Sequence, residues 1–406
     1  MDRTHRVNIA AHMASIPTTM RAVQLRDYEG TPNSLSVVET PVPRPGPGEV
    51  LVQVHASPVN PSDLMFIRGL YGFKKALPTV PGFEGSGTVV EAGSGMMARY
   101  MQGRRVACAA ADPAVGSGVW AEYMVTSAKF CVPLGKKVEM EHAATMLVNP
   151  FSAWAMADMA RRGKHRAMVQ TAAASALGKM MVRLGQKFSI PVVNIVRRPE
   201  QVDLLRSLGA EHVLNSNDAG FDEGLSDLCQ RLGATIGFDA VGGDMSARVL
   251  KAQPKGSRLV VYGALSLGPN QIDPASLIFE DKHVEGFWLS AWLRRQNILN
   301  QLRIAGQIQE LLAGELKTDI QARFSFKDAR QAVEQYAGNM TAGKVLLVPH
   351  VQTLGVFGNA PSFSGYGRGR SDGRGRPAPN PGRRASDDRD CSTSRGAESS
   401  SAPCVR

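Results

Sequence analysis

The sequence predicts an α/β protein in which a compact β domain precedes a doubly wound parallel sheet. Three observations predict this architecture. Short alternating or apolar runs, separated by glycine and proline turns, fill residues 20 to about 140. From about residue 141 the pattern changes to regular helix–strand alternation, and a Gly/Ser/Arg/Pro-rich segment follows residue 350. Such alternation is typical of a parallel sheet covered by helices.

The first region contains five predicted strands. They read "RAVQL", "EVLVQVHA", "GTVVEAG", "RRVACAA" and "AEYMVT". "PVPRPGPG" between the first two is a turn-rich connector, because proline and glycine interrupt regular pairing. These lengths and spacings indicate a small β domain.

The second region opens with a long, mostly helical stretch, "EHAATMLVNPFSAWAMADMARRG". Five strands then alternate with four helices, from "AMVQTA" and "ALGKMMVRLGQKF" to "MSARVLKAQ" and "RLVVYGAL". Parallel sheets of this kind bind dinucleotides beyond the carboxyl ends of their strands. After "VEGFWLSAW" we expect a helix over residues 296–314, and residues 319–348 should return to the β domain.

The turn in "VQTAAASALGKM" is the candidate pyrophosphate site. It lies where a strand gives way to a helix, whose first N–H groups attract phosphate. The usual G-x-G-x-x-G pattern is absent and only Gly178 remains, but Ala174, Ser175 and Ala176 are small enough for close backbone approach. A plain helix–sheet turn is the alternative interpretation, and the surrounding alternation favours the cofactor.

The next strand ends in "NIVRRPE" and indicates which cofactor binds. Sites that prefer NAD place an acid here, on the ribose 2′-hydroxyl. Arg197 and Arg198 stand there instead, and guanidinium groups suit a 2′-phosphate. We therefore predict NADPH, with two solvated arginines as the alternative.

Charge and composition exclude several classes of protein. The segment after residue 350 carries about +4 of the formal charge of +11, so the remainder is ordinary for an enzyme and no nucleic-acid partner is expected. No apolar run of about 18 residues is present to span a membrane. The five cysteines are scattered, which favours a cytoplasmic location, although the Arg- and Ser/Thr-containing leader leaves organelle targeting open.

From residue 20 to 349 the chain resembles the medium-chain dehydrogenase/reductase superfamily. The resemblance implies a GroES-like β catalytic domain, residues 20–147 and 286–349, that carries a Rossmann NADPH-binding domain, residues 148–285. Residues 1–19 would be an unstructured leader and residues 350–406 a disordered tail that could touch RNA but more simply is a non-functional extension.

The resemblance also bears on metal binding. The zinc enzymes of the superfamily place a cysteine and a histidine where this chain has Asn60, in "VNPSD", and Phe83, in "VPGFEGSG". Neither amide nor phenyl is a useful zinc ligand, and Glu84 alone cannot hold the metal. We therefore expect no metal and a structural partner for Glu84.

Among zinc-free branches, the strings "NPSDLMFIRGLYG", "AATMLVNP", "LRSLGAEHVLN" and "GFWLSAW" are similar to mitochondrial-type 2-enoyl thioester reductases. That family reduces the C2–C3 double bond of enoyl-CoA or enoyl-acyl carrier protein with NADPH, usually as homodimers. Hydride goes to C3 and a proton to C2. The resemblance implies fatty acid metabolism.

The resemblance assigns two catalytic positions. Tyr71 of "GLYG" matches the family's proton donor, a neutral phenol that can hydrogen-bond a developing oxyanion. Trp288 of "FWLS" would help to place the thioester. The alternatives are a loop-packing tyrosine and a core tryptophan.

The remaining carried-over positions surround the cofactor. Asn149 should face the nicotinamide and Lys344 should lie near the cofactor, against alternatives of a helix-break amide and a solvated lysine. The full predicted cofactor set is Asn149, Ala174, Ser175, Ala176, Leu177, Arg197, Arg198, Tyr262, Gly263, Ala264, Leu265, Phe287, Trp288, Leu289, Ser290 and Lys344.

The turn "AAASALG" and the string "VPGFEG" depart from the reductase pattern and put the substrate in doubt. The nearest rival is an NADPH:quinone oxidoreductase or general enone reductase on the same fold. A cofactor-binding protein without turnover is a rival of another class.

Overall fold

A computed structural model describes residues 16–110 and 118–349, so the leader before residue 16 and the tail from residue 350 lie outside the described residues. The strands, in chain order, are β1 Thr19–Leu25, β2 Leu35–Pro41, β3 Glu49–Pro58, β4 Glu84–Ala92, β5 Arg105–Ala109, β6 Tyr123–Ser127, β7 Cys131–Pro133, β8 Met168–Gln170, β9 Val192–Val196, β10 His212–Asn215, β11 Ile236–Asp239, β12 Arg258–Val261, β13 His283–Gly286, β14 Ile320–Ser325 and β15 Lys344–Val348. The helices are α1 Pro61–Ile67, α2 Met96–Met101, α3 Met140–Ala144, α4 Asn149–Arg162, α5 Ala176–Phe188, α6 Pro199–Ser207, α7 Phe221–Leu232, α8 Asp244–Ala252, α9 Pro274–Ile278, α10 Leu289–Arg294, α11 Ile298–Leu311 and α12 Ala329–Gly338.

Six parallel strands form the sheet predicted from the helix–strand alternation. Their order is β10-β9-β8-β11-β12-β13. Counted from β8 as the first strand this is 3-2-1-4-5-6, the doubly wound dinucleotide-binding order, whose topological switch point lies between β8 and β11.

Side chains on successive residues of these strands enter two different cores. Met168 packs with the apolar faces of α4, α5 and α11 on one side of the sheet. Val169 packs with α7 and α8 on the other. This alternation follows from the two-residue period of a strand, and it covers both faces of the sheet.

The predicted β domain forms around a second sheet, ordered β14-β15-β3-β4-β5-β7, with β6 paired to β3. β15 pairs antiparallel with β3 through Leu346 and Leu347. The C-terminal segment therefore does return to the β domain, as expected. The sheet supports an apolar core that includes Trp120, Phe66 and Phe326.

The long stretch predicted as mostly helical is two helices, α3 and α4, with a break at residues 145–148. Pro150 occupies the first turn of α4, where its missing N–H is tolerated, whereas inside a continuous helix it would remove a backbone hydrogen bond. The break matters because it places Leu147 and Val148 beside Glu84.

Candidate active site

Tyr71 lies in an aromatic cluster at the β-domain side of the site. Its ring centroid is 4.6 Å from that of Phe83 and 5.2 Å from that of Phe73. Asp63 of α1 fixes this arrangement from beneath, because its Oδ1 accepts the Phe83 N–H at 3.1 Å. The ring that replaces the histidine of the zinc enzymes therefore packs directly on the predicted proton donor.

The Tyr71 hydroxyl meets Trp288, which is 217 residues away in sequence. The indole Nε1–H donates to the phenol oxygen at 3.1 Å. An indole N–H can only donate, so Tyr71 is the acceptor in this bond and its own O–H remains able to donate. Burial raises the pKa of Tyr71 above its ordinary value of 10, the Trp288 N–H opposes this, and the charge of Asp63 adds to it. The phenol is therefore neutral at physiological pH.

Glu84 is fully buried at the start of β4. Its Oε1 accepts from Asn60 Nδ2 at 3.0 Å, and its Oε2 accepts the N–H groups of Leu147 and Val148 at 2.8 and 2.9 Å. The partner expected for this acid is thus an amide together with two backbone donors. Burial raises the pKa of Glu84, while Lys344 and these donors lower it.

Lys344 lies in the same buried network. Its Nζ donates to Asn60 Oδ1, to the Tyr336 hydroxyl at 3.2 Å and to the Val59 carbonyl at 3.4 Å. Burial lowers the pKa of Lys344 to about 8, and the charges of Glu84 and Asp63 oppose the shift. The structure places this lysine inside the β domain, fully buried, rather than in the solvated loop of the alternative interpretation.

The described residues include no group of three or more His, Cys, Asp and Glu side chains placed to hold a metal ion.

Sequence reasoning identified Asn60, Phe83 and Glu84 but not Asp63, Tyr336 or the link to Lys344. The one signal for Asp63 in the sequence is its position three residues after Asn60, at the start of a helix that begins with proline.

The predicted pyrophosphate turn packs tightly where β8 gives way to α5. Ser175 caps α5 by accepting the Gly178 N–H at 3.1 Å. A methyl group on Gly178 would lie 2.3 Å from the Ala173 carbonyl oxygen, so only glycine fits where the helix meets the strand. Ala173 and Ala174 are buried in this turn, and Ala176 and Leu177 form the first helical positions.

The switch point beside this turn is organised by Asp239, at the end of β11. Its carboxylate accepts from Thr171 Oγ1 at 2.6 Å, from the Val241 and Gly242 N–H groups at 2.8 and 3.1 Å, and from the Ser246 hydroxyl. Sequence reasoning missed this residue, although an acid after a buried strand was a visible signal. It shapes the loops on both sides of the crevice.

Arg197 and Arg198 follow β9, as predicted, and both side chains are exposed. Arg198 pairs with Glu200 at 3.0 Å. The backbone of Arg197 is held on both sides, by Gln201 Oε1 at 3.2 Å and by Asn217 Nδ2 at 2.8 Å. The loop is thus fixed while its guanidinium groups face solvent, which fits an approaching phosphate.

The remaining predicted positions lie after β12, after β13 and at the start of α4. Tyr262 and Leu265 donate backbone N–H groups to the loop after β11, at Asp239 and Ala240. A methyl group on Gly263 would lie 2.7 Å from the Ala240 carbonyl oxygen, and Ala264 is exposed. Phe287 and Leu289 pack against the core of α4 and α5, Ser290 is partly exposed, and Asn149 begins α4, largely buried.

These parts fit a dinucleotide, with the turn before α5 for its pyrophosphate and the end of β9 for its ribose. A cavity of about 240 Å³ lies elsewhere, at the amino ends of β9 and β10, lined by Val192 and His212 among others. That end of a parallel sheet is opposite the edge where dinucleotides bind, so the cavity is not the cofactor site.

A pyridine nucleotide fold joined to a β domain that presents a tyrosine defines an oxidoreductase. Two family models match the chain, "Alcohol dehydrogenase GroES-like domain" over residues 46–136 and "Zinc-binding dehydrogenase" over residues 176–303. The chain belongs to the medium-chain dehydrogenase/reductase superfamily, with the GroES-like and Rossmann-type domains predicted from its sequence.

Relatives point to two branches of this superfamily. The mitochondrial enoyl-[acyl-carrier-protein] reductase of Arabidopsis thaliana is 32% identical over 273 residues, which cover 66% of this chain and 72% of the relative. The crystal structure of a putative NADPH:quinone reductase from Mesorhizobium loti is 35% identical, with a TM-score of 0.76, and covers 82% of this chain and 100% of that one. A mycobacterial protein complexed with NADPH shares the fold at 24% identity and a TM-score of 0.68, over 81% and 100% of the two chains.

Proposed function

We propose that the protein is an NADPH-dependent reductase of 2-enoyl thioesters, with Tyr71 as the proton donor. The observation that carries the proposal is the hydrogen bond from Trp288 to the Tyr71 oxygen. Because Tyr71 is the acceptor in this bond, the phenol proton is not used in it and can be donated to a substrate. The similarity to an enoyl-[acyl-carrier-protein] reductase supports the substrate class.

Bound NADPH would supply hydride to C3 of the enoyl group. The protein's own contribution is to stabilise the charge that develops on the thioester oxygen and to deliver a proton to C2. A neutral phenol beside Phe73, Phe83 and Trp288 suits both tasks, since a preorganised donor placed where charge develops stabilises that charge. Arg294, whose guanidinium lies 5.3 Å from the Trp288 ring centroid, would attract the phosphate of CoA or phosphopantetheine.

The choice of NADPH over NADH rests on Arg197 and Arg198. Both lie after the second strand of the sheet, where a carboxylate would otherwise select the 2′-hydroxyl. The similarity of this fold to a protein complexed with NADPH agrees with the choice.

The second candidate function is NADPH:quinone reduction, favoured by the similarity to the Mesorhizobium loti structure. In that case the aromatic cluster serves chiefly to stack a planar acceptor. Steady-state assays with crotonyl-CoA and with a 1,4-quinone, each with NADPH and NADH, separate the two functions. Turnover of quinone without turnover of crotonyl-CoA would contradict the thioester proposal.

We also propose a homodimer formed at the β13 edge of the six-stranded sheet. β13 is an edge strand, and exposed apolar residues lie on and near it, namely Leu267, Leu277, Ile278, Phe279 and Val284. An exposed edge with apolar neighbours is a surface that proteins normally cover. A solution mass of one chain at micromolar concentration would contradict this proposal. We further propose that the protein acts in fatty acid metabolism and is located in the cytoplasm. No helix in the described part of the chain is long and apolar enough to cross a membrane.

A further inference from the structure

Three buried side chains form one continuous line of hydrogen bonds across the β domain. Lys344 Nζ donates to Asn60 Oδ1, and Asn60 Nδ2 donates to Glu84 Oε1. Glu84 Oε2 then accepts the N–H groups of Leu147 and Val148. All three side chains are fully buried, so water does not substitute for any link. We call this line the Lys344–Glu84 relay.

The hydrogen bonds of the relay fix the orientation of the Asn60 amide. An ammonium can only donate and a carboxylate can only accept, so the Asn60 amide must present its oxygen to Lys344 and its nitrogen to Glu84. Residue 84 must therefore provide two acceptor oxygens, one for Asn60 and one for the backbone. Glutamine at this position has a single acceptor and would leave two donors facing each other.

The far end of the relay holds the start of α4. Val148 is the N-cap of this helix and Asn149 is its first residue. No side chain caps this helix, and the Glu84 carboxylate of β4 instead accepts the N–H groups of Leu147 and Val148, the two residues that precede Asn149. The backbone immediately before Asn149 is thereby tied to three elements of the β domain, namely β4, α1 and β15.

We propose that Glu84 is a positioning residue for reduction, which fixes the Leu147–Val148 backbone and so holds Asn149 against the nicotinamide. This inference rests on the proposed function together with the expectation, from the resemblance, that Asn149 faces the nicotinamide. It assigns Lys344 and Asn60 a shared task, to hold the Glu84 carboxylate in the orientation that the helix start requires.

The test exchanges the amide and the carboxylate between residues 60 and 84, whose side chains are hydrogen-bonded. Glu84→Gln breaks the relay. The double variant Asn60→Asp/Glu84→Gln rebuilds it, because the introduced aspartate accepts from both Lys344 and the amide nitrogen of the introduced glutamine, whose oxygen accepts the two backbone N–H groups. The net charge of the cluster is also restored. Asn60→Asp alone places two carboxylates face to face and should be the least stable of the three.

We expect Glu84→Gln to lower kcat by about 10- to 10²-fold, the size of effect that a small misplacement of reacting groups produces. The KM for NADPH should change by less than about threefold, because the phosphates bind elsewhere. With NADPH deuterated at the transferred position, the isotope effect on kcat should increase. The double variant should recover kcat to within about threefold of the wild type.

A second readout is independent of turnover. Hydrogen–deuterium exchange of the peptide that covers residues 145–149 should accelerate in Glu84→Gln and return to the wild-type rate in the double variant, with no cofactor present. Asp158→Asn is the matched control, since it removes a buried acid from the same helix that pairs with Arg161 and Arg162 at 2.5 and 2.6 Å. It should lower the melting temperature without changing the isotope effect.

Three outcomes overturn the inference. They are wild-type kcat and exchange in Glu84→Gln, a folded double variant that stays as slow as Glu84→Gln, and an equal change of the isotope effect in Asp158→Asn. If the wild type reduces neither crotonyl-CoA nor a 1,4-quinone, the proposed function fails, and the exchange measurements still test the positioning.

Discussion

The hydrogen bond between Trp288 and Tyr71 allows a quantitative test of the proton donor. Trp288→Phe keeps an aromatic ring in the cleft and removes the N–H that Tyr71 accepts at 3.1 Å, together with part of the ring surface that faces Tyr71 and Arg294. A neutral hydrogen bond of this kind contributes about 1 kcal/mol net, which is about fivefold in rate. Trp288 is 41% exposed, so water can replace the lost donor and the effect belongs at the low end. We expect kcat to fall about two- to fivefold.

Tyr71→Phe removes the proton donor itself and should lower enoyl reduction by about 10²–10⁴-fold. The two substitutions together form a double-mutant cycle. If Trp288 acts by orienting the phenol, adding Trp288→Phe to Tyr71→Phe costs no further activity, because the group that it orients is already absent. The assay is steady-state reduction of crotonyl-CoA with NADPH.

The pH dependence of kcat provides a control for the double-mutant cycle. Because the pKa of Tyr71 is raised above 10, mainly by burial, the phenol carries its proton throughout the range from pH 6 to 9. The pH profiles of wild type and Trp288→Phe should therefore be parallel there. If Trp288→Phe lowers kcat by the same factor with and without the Tyr71 hydroxyl, Trp288 acts through packing alone and the reasoning is wrong.

Replacing Arg197 and Arg198 with alanine should raise the KM for NADPH much more than the KM for NADH, and equal effects in cofactor titrations would reject the 2′-phosphate assignment. Gly178→Ala places a methyl group 2.3 Å from a backbone oxygen and should cost about 1–3 kcal/mol of unfolding free energy together with NADPH affinity. Gly306→Ala, on α11 with no atom within 4 Å of the added methyl, is the control and should raise the melting temperature. Burial raises the pKa of Asp63 from 3.8 to about 7, so between these values the folded protein holds a proton that the unfolded chain has lost. The contribution of Asp63 to the free energy of unfolding therefore falls as pH rises from about 4 to 7, by up to about 1.4 kcal/mol per pH unit. Asp63→Asn should remove that slope in urea unfolding at pH 5 and 7, and an unchanged slope would contradict the shift.

The six-stranded sheet was predicted correctly because each of its strands and helices has its own pattern within a short stretch of sequence. The apolar strands and amphipathic helices from β8 to β12 each carry a complete pattern, and the parallel connections leave few topologies open. The division of the long apolar stretch at residues 145–148 was missed, because the apolar residues there continue without interruption and only Pro150 marks the new helix.

The sequence allowed predictions about the site where a short string carried information, and none where the arrangement depends on long-range contacts. Tyr71, Arg197 and Ser175 each lie in a recognisable string. Asp63 accepts the Phe83 N–H from 20 positions away and Lys344 bonds Asn60 from 284 positions away, while Tyr336 joins the cluster through Lys344, 8 positions along the chain. No periodicity reports such contacts, so the buried cluster around Glu84 became visible only in three dimensions. The assignments of the predicted site residues and the domain boundaries stay predictions.

The ammonium of Lys344 on the Asn60 oxygen also constrains how the chain can change. Position 60 matches a zinc ligand in the metal-dependent enzymes of this superfamily, yet here its oxygen already serves a resident cation. Restoring a histidine at Phe83 would therefore not restore a metal site, since any metal at residue 60 must first displace a buried positive charge. Even a cysteine at position 60 would find the lysine as its counter-ion. A metal site here would therefore need changes at positions 60, 83 and 344 together, because a metal ligand at position 60 would still contact the Lys344 ammonium.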